Sequence, residues 1–341
     1  MQGKNQPLWT IGIVNYKSAV YIKWQLKILY EGNNPRDFHL IIVDNSNPHE
    51  QKLSTLIKPY RDKYKNVEII YYIPKETSAS GQHGEALSII KNKVSTKYFL
   101  VQDPDFFWVQ KKYLQKLETY LAKGYVAIGA PYPNKVGIGD PWFPAAYGCA
   151  FLTKELGAVD FYADVSEEKR QESFSKYPIE DGYEFSYDVG WKVRASLSSK
   201  PHLSFKQKEV LELKQWIGVH SFETVSKEYF LENKTIAFHL FRGTFTGMVT
   251  QDHKDPQLTI KNEWEKVRDK YGRFFYDYTF NYKKLNLVLK KNYFRLIIFP
   301  QIIFNKIRYS KLIRNFIVKA MKKTTLGRMI IKYLKIMLKE N

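Results

Sequence analysis

The sequence predicts an α/β fold: a mostly parallel central sheet flanked by helices, followed by a C-terminal basic amphipathic helical extension. Three observations lead there. Over the first 155 residues, short β-branched or aromatic runs alternate with longer amphipathic segments, the order that builds parallel strands joined by crossover helices. Hydrophobic residues make up 44% of the 341-residue chain, enough for one large domain and a smaller appendage. The net charge of +20 is concentrated at one end: residues 283–341 carry 16 Lys and Arg against one acid, Glu340, a balance of +15 that leaves +5 on the first 282.

Taken in order, strands are expected at 8–15 (LWTIGIVN), 38–44 (FHLIIVD), 67–73 (VEIIYYI), 98–103 (YFLVQD), 125–130 (YVAIGA) and 145–153 (AAYGCAFLT). Helices fill the gaps: 19–31 places Ile22, Leu26 and Leu29 on one face, and 84–94 does the same with Leu87, Ile90 and Val94. Four prolines and two glycines between 131 and 144 make that stretch a loop. The polar run 164–178 has few core formers and reads as a surface loop before a helix starting near Glu180. Beyond Pro201 the pattern thins to a strand at 235–240 and a helix at 257–271. Lys283 opens the alternating apolar and basic sequence, so the expected domains are 1–282 and 283–341.

Ligands of open parallel sheets bind beyond the carboxyl ends of the strands. Those ends are polar and acidic here: Asn15 after the first strand, Asp44, Asn45 and Ser46 after the second, Asp103 and Asp105 after the fourth. Any one alone is explained by the preference of Asx residues for turns. Three on one sheet edge point to a site. Two carboxylates two residues apart repel each other unless a hard cation such as Mn²⁺ or Mg²⁺ sits between them.

The segments TIGIVNYKSAVYIKWQLKILYE, FHLIIVDNSNP and GEALSIIKNKVSTKYFLVQDPD resemble, in order and spacing, the N-terminal half of family 2 glycosyltransferases with the GT-A fold, over about residues 8–155. The resemblance implies a GT-A type nucleotide-sugar-binding domain. In it Asp44, with Asn15 nearby, would contact the nucleotide, Asp103 the ribose, and Asp105 the metal. YDVGWKVR (187–194) is similar to the family's acid-rich segment, which puts Asp188 at the general base and Arg194 at a helix arginine, with Tyr187 where a Glu is usual. Asp181 and Glu184 share a helical face with Asp188, so spacing leaves the catalytic acid open between Asp181 and Asp188. AFHLFRGTF (237–245) supplies His239, resembling the histidine that completes metal binding, and Arg242, whose planar fork suits the donor phosphates. Trp142 and Trp191 are candidate sugar platforms or plain core, and Cys149 is core.

The implied reaction moves a sugar from a nucleotide-diphosphate donor to a glycan or lipid-linked acceptor by direct displacement with inversion, in bacterial-type surface polysaccharide synthesis. A nucleotidyltransferase is the alternative, but TIGIVNYKSA holds one glycine, inside the strand, rather than a Gly-rich phosphate loop. A non-catalytic membrane scaffold is the third reading.

In the tail, Tyr309, Leu312, Ile313, Phe316, Ile317 and Ala320 recur at helical spacing, as do Leu326, Met329, Ile330, Tyr333, Leu334 and Met337. Basic residues surrounding two apolar stripes predict helices lying on an anionic membrane surface. Nucleic acid is not an expected partner, because a phosphate-binding arm has no need of such stripes and no nucleic-acid-binding signature accompanies them. The longest apolar stretch, 296–304, has nine residues and a central proline, short of the ~20 needed to span a bilayer. A single cysteine and an N-terminus without a secretory-type apolar run predict a cytoplasmic protein, peripheral on the inner face of the cell membrane.

Overall fold

The computed structural model describes residues 6–131, 142–164, 166–176, 188–210, 226–240 and 261–281. The chain divides into units Met1–Asn281 and Tyr282–Asn341, and all of the described residues lie in the first. The tail helices expected after Lys283 therefore lie outside the described residues, as does the helix expected near Glu180.

Continuous apolar runs, rather than alternating ones, mark strands buried on both faces. The strands β1 (Trp9–Asn15), β2 (Phe38–Asp44) and β4 (Tyr98–Gln102) fit that rule, and every residue of β1 and β4 is buried, whereas β3 (Val67–Tyr71), at the sheet edge, buries only Val67. All four run parallel, with β1 central between β2 and β4. The strand β5 (Phe106–Trp108) belongs to a second sheet, while β6 (Ala127–Pro131), β7 (Pro144–Leu152) and β8 (His202–Ser204) complete the first. The order is β3-β2-β1-β4-β7-β6-β8, and β7 alone runs antiparallel to its neighbours, which leaves the sheet mostly parallel.

Helices cover both faces. On one side α1 (Ala19–Gly32), α2 (Gln51–Tyr64) and α4 (Tyr113–Leu121) bury Ile22, Leu26, Leu29, Leu53, Ile57 and Leu117 against Ile11, Ile13 and Leu40. On the other, α3 (Ala79–Asn92), the short α5 (Thr153–Leu156) and α7 (Trp191–Leu197) pack Leu87, Ile90, Leu156 and Leu197 against Val14, Val43 and Val101. Each such side chain contributes roughly 1.5–3 kcal/mol by leaving water. Cys149 lies fully buried in this second layer, and burial pushes its thiol pKa well up.

A second sheet of four antiparallel strands, in the order β5-β11-β10-β9, joins β5 to β9 (Lys206–Glu209), β10 (Ser226–Leu231) and β11 (Lys234–Leu240). The last helix among the described residues, α8 (Lys261–Phe280), packs against α1. The fit is tight at Gly272, where an added Cβ would stand 2.1 Å from the Trp24 ring. Lys23 and the Trp24 indole both reach Asp269 on α8, at 2.7 and 2.9 Å.

Three expectations are corrected. The run 164–178 is not all loop, because α6 spans Glu167–Lys176. Its Glu, Lys, Arg and Gln are good helix formers, and the Ser166 hydroxyl caps it by accepting from Lys169 N at 3.2 Å. The helix placed at 257–271 instead ends at Phe280, because Phe274, Phe275 and Tyr278 pack against Phe238 and extend its buried face. The helix placed at 84–94 begins five residues earlier, at Ala79, where the Ser78 hydroxyl accepts from Gly81 N at 3.0 Å. Among the described residues, no helix is long and apolar enough to cross a membrane.

Candidate active site

Parallel register brings the polar strand ends to one edge: Asn15 is paired with Asp44, and Ile13 with Gln102, the residue before Asp103. Asn15 and Asp44 are both fully buried. Asn15 Nδ2 donates to Asp44 Oδ1 at 2.9 Å and to Glu50 Oε2 at 3.1 Å. The Asp44 carboxylate also accepts from the backbone of Ser46 (3.2 Å) and of Glu50 (2.9 Å), so both of its oxygens brace the turns that follow β1 and β2. Glu50 Oε2 accepts from Ala19 N at 3.1 Å and so caps the first turn of α1, for which Ser18 provides no side-chain cap. These contacts give Asn15 and Asp44 a framework role at the sheet edge. Beside them the His49 and Tyr71 rings lie 5.0 Å apart, with Tyr71 exposed.

The chain then has to place two carboxylates in a fixed turn, and three elements clamp it. Asp103 N donates to Tyr147 O on β7 at 2.8 Å, and Phe106 N closes the turn on Asp103 O at 3.1 Å. Gln25 on α1 donates its amide to Asp103 O (2.8 Å) and Phe106 O (2.7 Å). Leu240 N at the end of β11 donates to Asp105 O at 3.1 Å. Since β5 pairs with β11, His239 lies opposite Phe106, and its Nε2 stands 3.2 Å from Asp105 Oδ1. The His239 ring is further held against Tyr147, 4.5 Å between centroids, and Phe106, 5.6 Å.

Asp103, Asp105 and His239 each offer one ligand atom, all within 4.8 Å of one another. Two carboxylate oxygens and an imidazole nitrogen form a donor set suited to Mn²⁺ and acceptable to Mg²⁺. The electrostatics fit a cation too. Burial, then the charges of Asp105 and Asp188, hold the Asp103 carboxyl well above its ordinary range. Its Oδ1 is buried and accepts no hydrogen bond among the described residues, though His83 Nε2 approaches it to 3.4 Å.

Asp188 immediately precedes α7, with its carbonyl accepting from Trp191 N at 3.0 Å and its Oδ1 from Val189 N at 2.7 Å. Its charge acts on both Asp103 and His83, which makes it an electrostatic neighbour of the paired carboxylates. Arg194 on α7 is buried, and so is Trp191, whereas Trp142 is exposed. Tyr187, Asp181, Glu184 and Arg242 lie outside the described residues.

The structure thus gathers Asp103, Asp105 and His239, sets Asp188 nearby, and keeps Asn15 with Asp44 as a separate braced pair. Sequence reasoning missed His83, Gln25 and Glu50. Reading Ser78 as a helix cap would have found His83, since it turns that residue toward the sheet edge one turn into α3. Gln25 and Glu50 carried no local signal. Burial lowers the His83 pKa, opposed by the charges of Asp188 and Asp105.

No family model matches the sequence, and no curated protein does. Among solved structures, S. aureus TarS 1-349 is 12% identical over 85% of this chain and 75% of its own, with a TM-score of 0.42. Mannosyltransferase PcManGT from Pyrobaculum calidifontis, solved in complex with GDP-Man and Mn²⁺, is 12% identical over 96% of this chain and 86% of its own, with a TM-score of 0.44. Galactosyltransferase LgtC, solved with donor and acceptor sugar analogs, is 13% identical over 57% of this chain and 72% of its own, with a TM-score of 0.40. All three scores lie below 0.5, so the α/β architecture stands on the strand order and register of the chain itself.

Proposed function

We propose that this protein is a metal-dependent, inverting glycosyltransferase that moves a sugar from a nucleotide-diphosphate donor to a glycan or lipid-linked acceptor, in bacterial-type surface polysaccharide synthesis. The observation that carries the reading is the meeting of Asp103, Asp105 and His239 at the carboxyl edge of a mostly parallel sheet, with Asp188 nearby. Asp105 and His239 are buried and held by backbone and ring contacts, so they are pre-positioned to hold a divalent ion, with Asp103 completing the set. A cation bound there supplies charge neutralisation for a diphosphate leaving group.

Asp188 is the assigned general base. Displacement with inversion needs the acceptor hydroxyl on the face of the anomeric carbon opposite the leaving phosphate, and a carboxylate there to take its proton. Asp188 has the right chemistry, and its charge acts on the neighbouring Asp103. Asn15 and Asp44 shape the nucleotide subsite by fixing the turns after β1 and β2, and Arg242 is assigned to the donor phosphates. The tail is assigned to an anionic membrane on the cytoplasmic face, where lipid-linked acceptors are presented.

The test is calorimetric titration of UDP, GDP, ADP and CDP with and without Mn²⁺, beside transfer and hydrolysis assays with the matching nucleotide sugars. Mn²⁺-dependent binding of one diphosphate and release of that diphosphate from its sugar conjugate are expected. Incorporation of a nucleoside monophosphate from a triphosphate would instead establish a nucleotidyltransferase, and no nucleotide binding of any kind would leave the scaffold reading.

A further inference from the structure

His83 belongs to none of the metal, base or nucleotide assignments, yet it sits among them. It lies one turn into α3, its side chain about 29% exposed, with Nε2 3.4 Å from Asp103 Oδ1. The charges of Asp188 and Asp105 both act on its ring. Its ligand nitrogen is not part of the set formed by Asp103, Asp105 and His239.

We propose that His83 contacts the transferred sugar of the donor and helps select it, because its partly exposed imidazole borders the Asp103 carboxylate and belongs to neither the metal set nor the braced Asn15–Asp44 pair. This rests on the glycosyltransferase reading above. In a direct displacement the anomeric carbon lies between the leaving phosphate, on the Asp103 and Asp105 side, and the acceptor hydroxyl beside Asp188. A partly exposed side chain that borders Asp103 from outside the metal set is placed to meet the sugar carried on a diphosphate held there. A neutral imidazole carries one N–H donor and one acceptor nitrogen, so the ring nitrogen turned away from Asp103 can meet a sugar hydroxyl in either role. The short turn before α3 fixes the imidazole: Ser78 caps the helix, and Gly84 brings it against the backbone of Phe161, Tyr162 and Ala163, where an added Cβ would stand 2.7 Å from Phe161 O.

The experiment compares wild type, His83→Ala and His83→Gln by calorimetry. Each is titrated with the nucleoside diphosphate that wild type binds with Mn²⁺, and then with its glucose, galactose, mannose and N-acetylglucosamine conjugates. The diphosphate is expected to bind all three proteins within about twofold. His83→Ala should lose about tenfold in affinity for the preferred conjugate, the size of one hydrogen bond to the ligand, and discriminate less among the four sugars. His83→Gln, which keeps a hydrogen-bonding group, should recover part of that loss. Equal losses for the diphosphate and its conjugates would show that His83 merely orients Asp103, and unchanged sugar affinity and preference would show that it does not touch the sugar; either overturns the proposal while leaving the glycosyltransferase reading intact. If wild type bound no nucleoside diphosphate, the glycosyltransferase reading itself would fail, and this assignment with it.

Discussion

Asp103 and Asp105 stand two positions apart and in different surroundings. Asp105 is almost wholly buried and faces His239, while Asp103 keeps about a fifth of its side chain in the cleft, bordered by His83. Burial and two neighbouring carboxylates raise the Asp103 pKa well above 3.8, so the folded chain holds this proton more firmly than the unfolded chain does. The associated stability is present at acid pH and is lost as pH rises from the ordinary carboxylate range through the raised value. Asp103→Asn removes that ionisation. In EDTA at pH 8 the variant should therefore melt roughly 2–4 °C above wild type, the scale of about 1 kcal/mol in a domain of this size, with the gap closing near pH 4. Added Mn²⁺ should reverse the ranking, because it stabilises wild type and finds a poorer ligand in the amide. A constant gap across pH would mean that Asp103 titrates normally. Asp105→Asn and Asp188→Asn should also part company: the first weakens Mn²⁺-dependent nucleotide binding, while the second binds donor normally and loses turnover by roughly 10² to 10⁴-fold. Wild-type turnover in Asp188→Asn, measured under saturating donor, would move the base to another acid, and Asp181 is next in line.

At the scale of elements, the turn that carries Asp103 and Asp105 depends on a residue that carries no chemistry. Gly148 on β7 faces the Phe106 ring, and a Cβ placed there would stand 2.3 Å from a ring carbon. Phe106 is fully buried and surrounded by Trp108, Tyr147, Tyr229 and His239, so it has little room to retreat. Gly148→Ala should lower stability by about 1–3 kcal/mol and weaken Mn²⁺ binding without altering any ligand, because Phe106 adjoins Asp105 and packs on His239. Chemical denaturation and Mn²⁺ titration of the variant check both effects, and wild-type values in both would show that the turn is not held through this ring. The same elements explain what the sequence made legible. The strands β1, β2 and β4 read clearly because burial on both faces leaves nearly unbroken apolar runs, β3 read from its β-branched and aromatic residues although it is half exposed, and Asp103 and Asp105 stood out because they follow a buried run. Of the second sheet only β11 did: β9 has four residues, all polar, and β5 is held by pairing with β11 more than 120 residues away. Glu50 and Gln25 were hidden for the same reason: their hydrogen bonds join elements whose proximity only the fold creates.

At the scale of the whole molecule, the charge is divided as unevenly as the chain. The first unit ends at Asn281, and the remaining 60 residues begin at Tyr282. The 16 basic residues after position 282 face one acid, so internal pairing can offset little of their charge, and an anionic surface is the natural complement. Each Lys or Arg near such a surface contributes about 1 kcal/mol, and the apolar side chains at helical spacing add a part that salt does not screen. Two consequences are separable. Full-length protein should sediment with vesicles containing phosphatidylglycerol and not with purely zwitterionic ones, and binding should weaken between 0.1 and 0.5 M salt as the screening length falls from ~10 Å. It should not vanish, because the apolar faces still enter the interface. A chain ending at residue 282 should lose vesicle binding while keeping the Mn²⁺-dependent nucleotide affinity of the full chain, since Asp103, Asp105, His239, Asp188 and His83 all precede the cut. Equal sedimentation of the shortened chain would place the membrane-binding surface within the first unit. Complete release by salt would point to a purely electrostatic arm, for which nucleic acid is the competing ligand, and vesicle binding in the presence of excess duplex DNA would then decide between them.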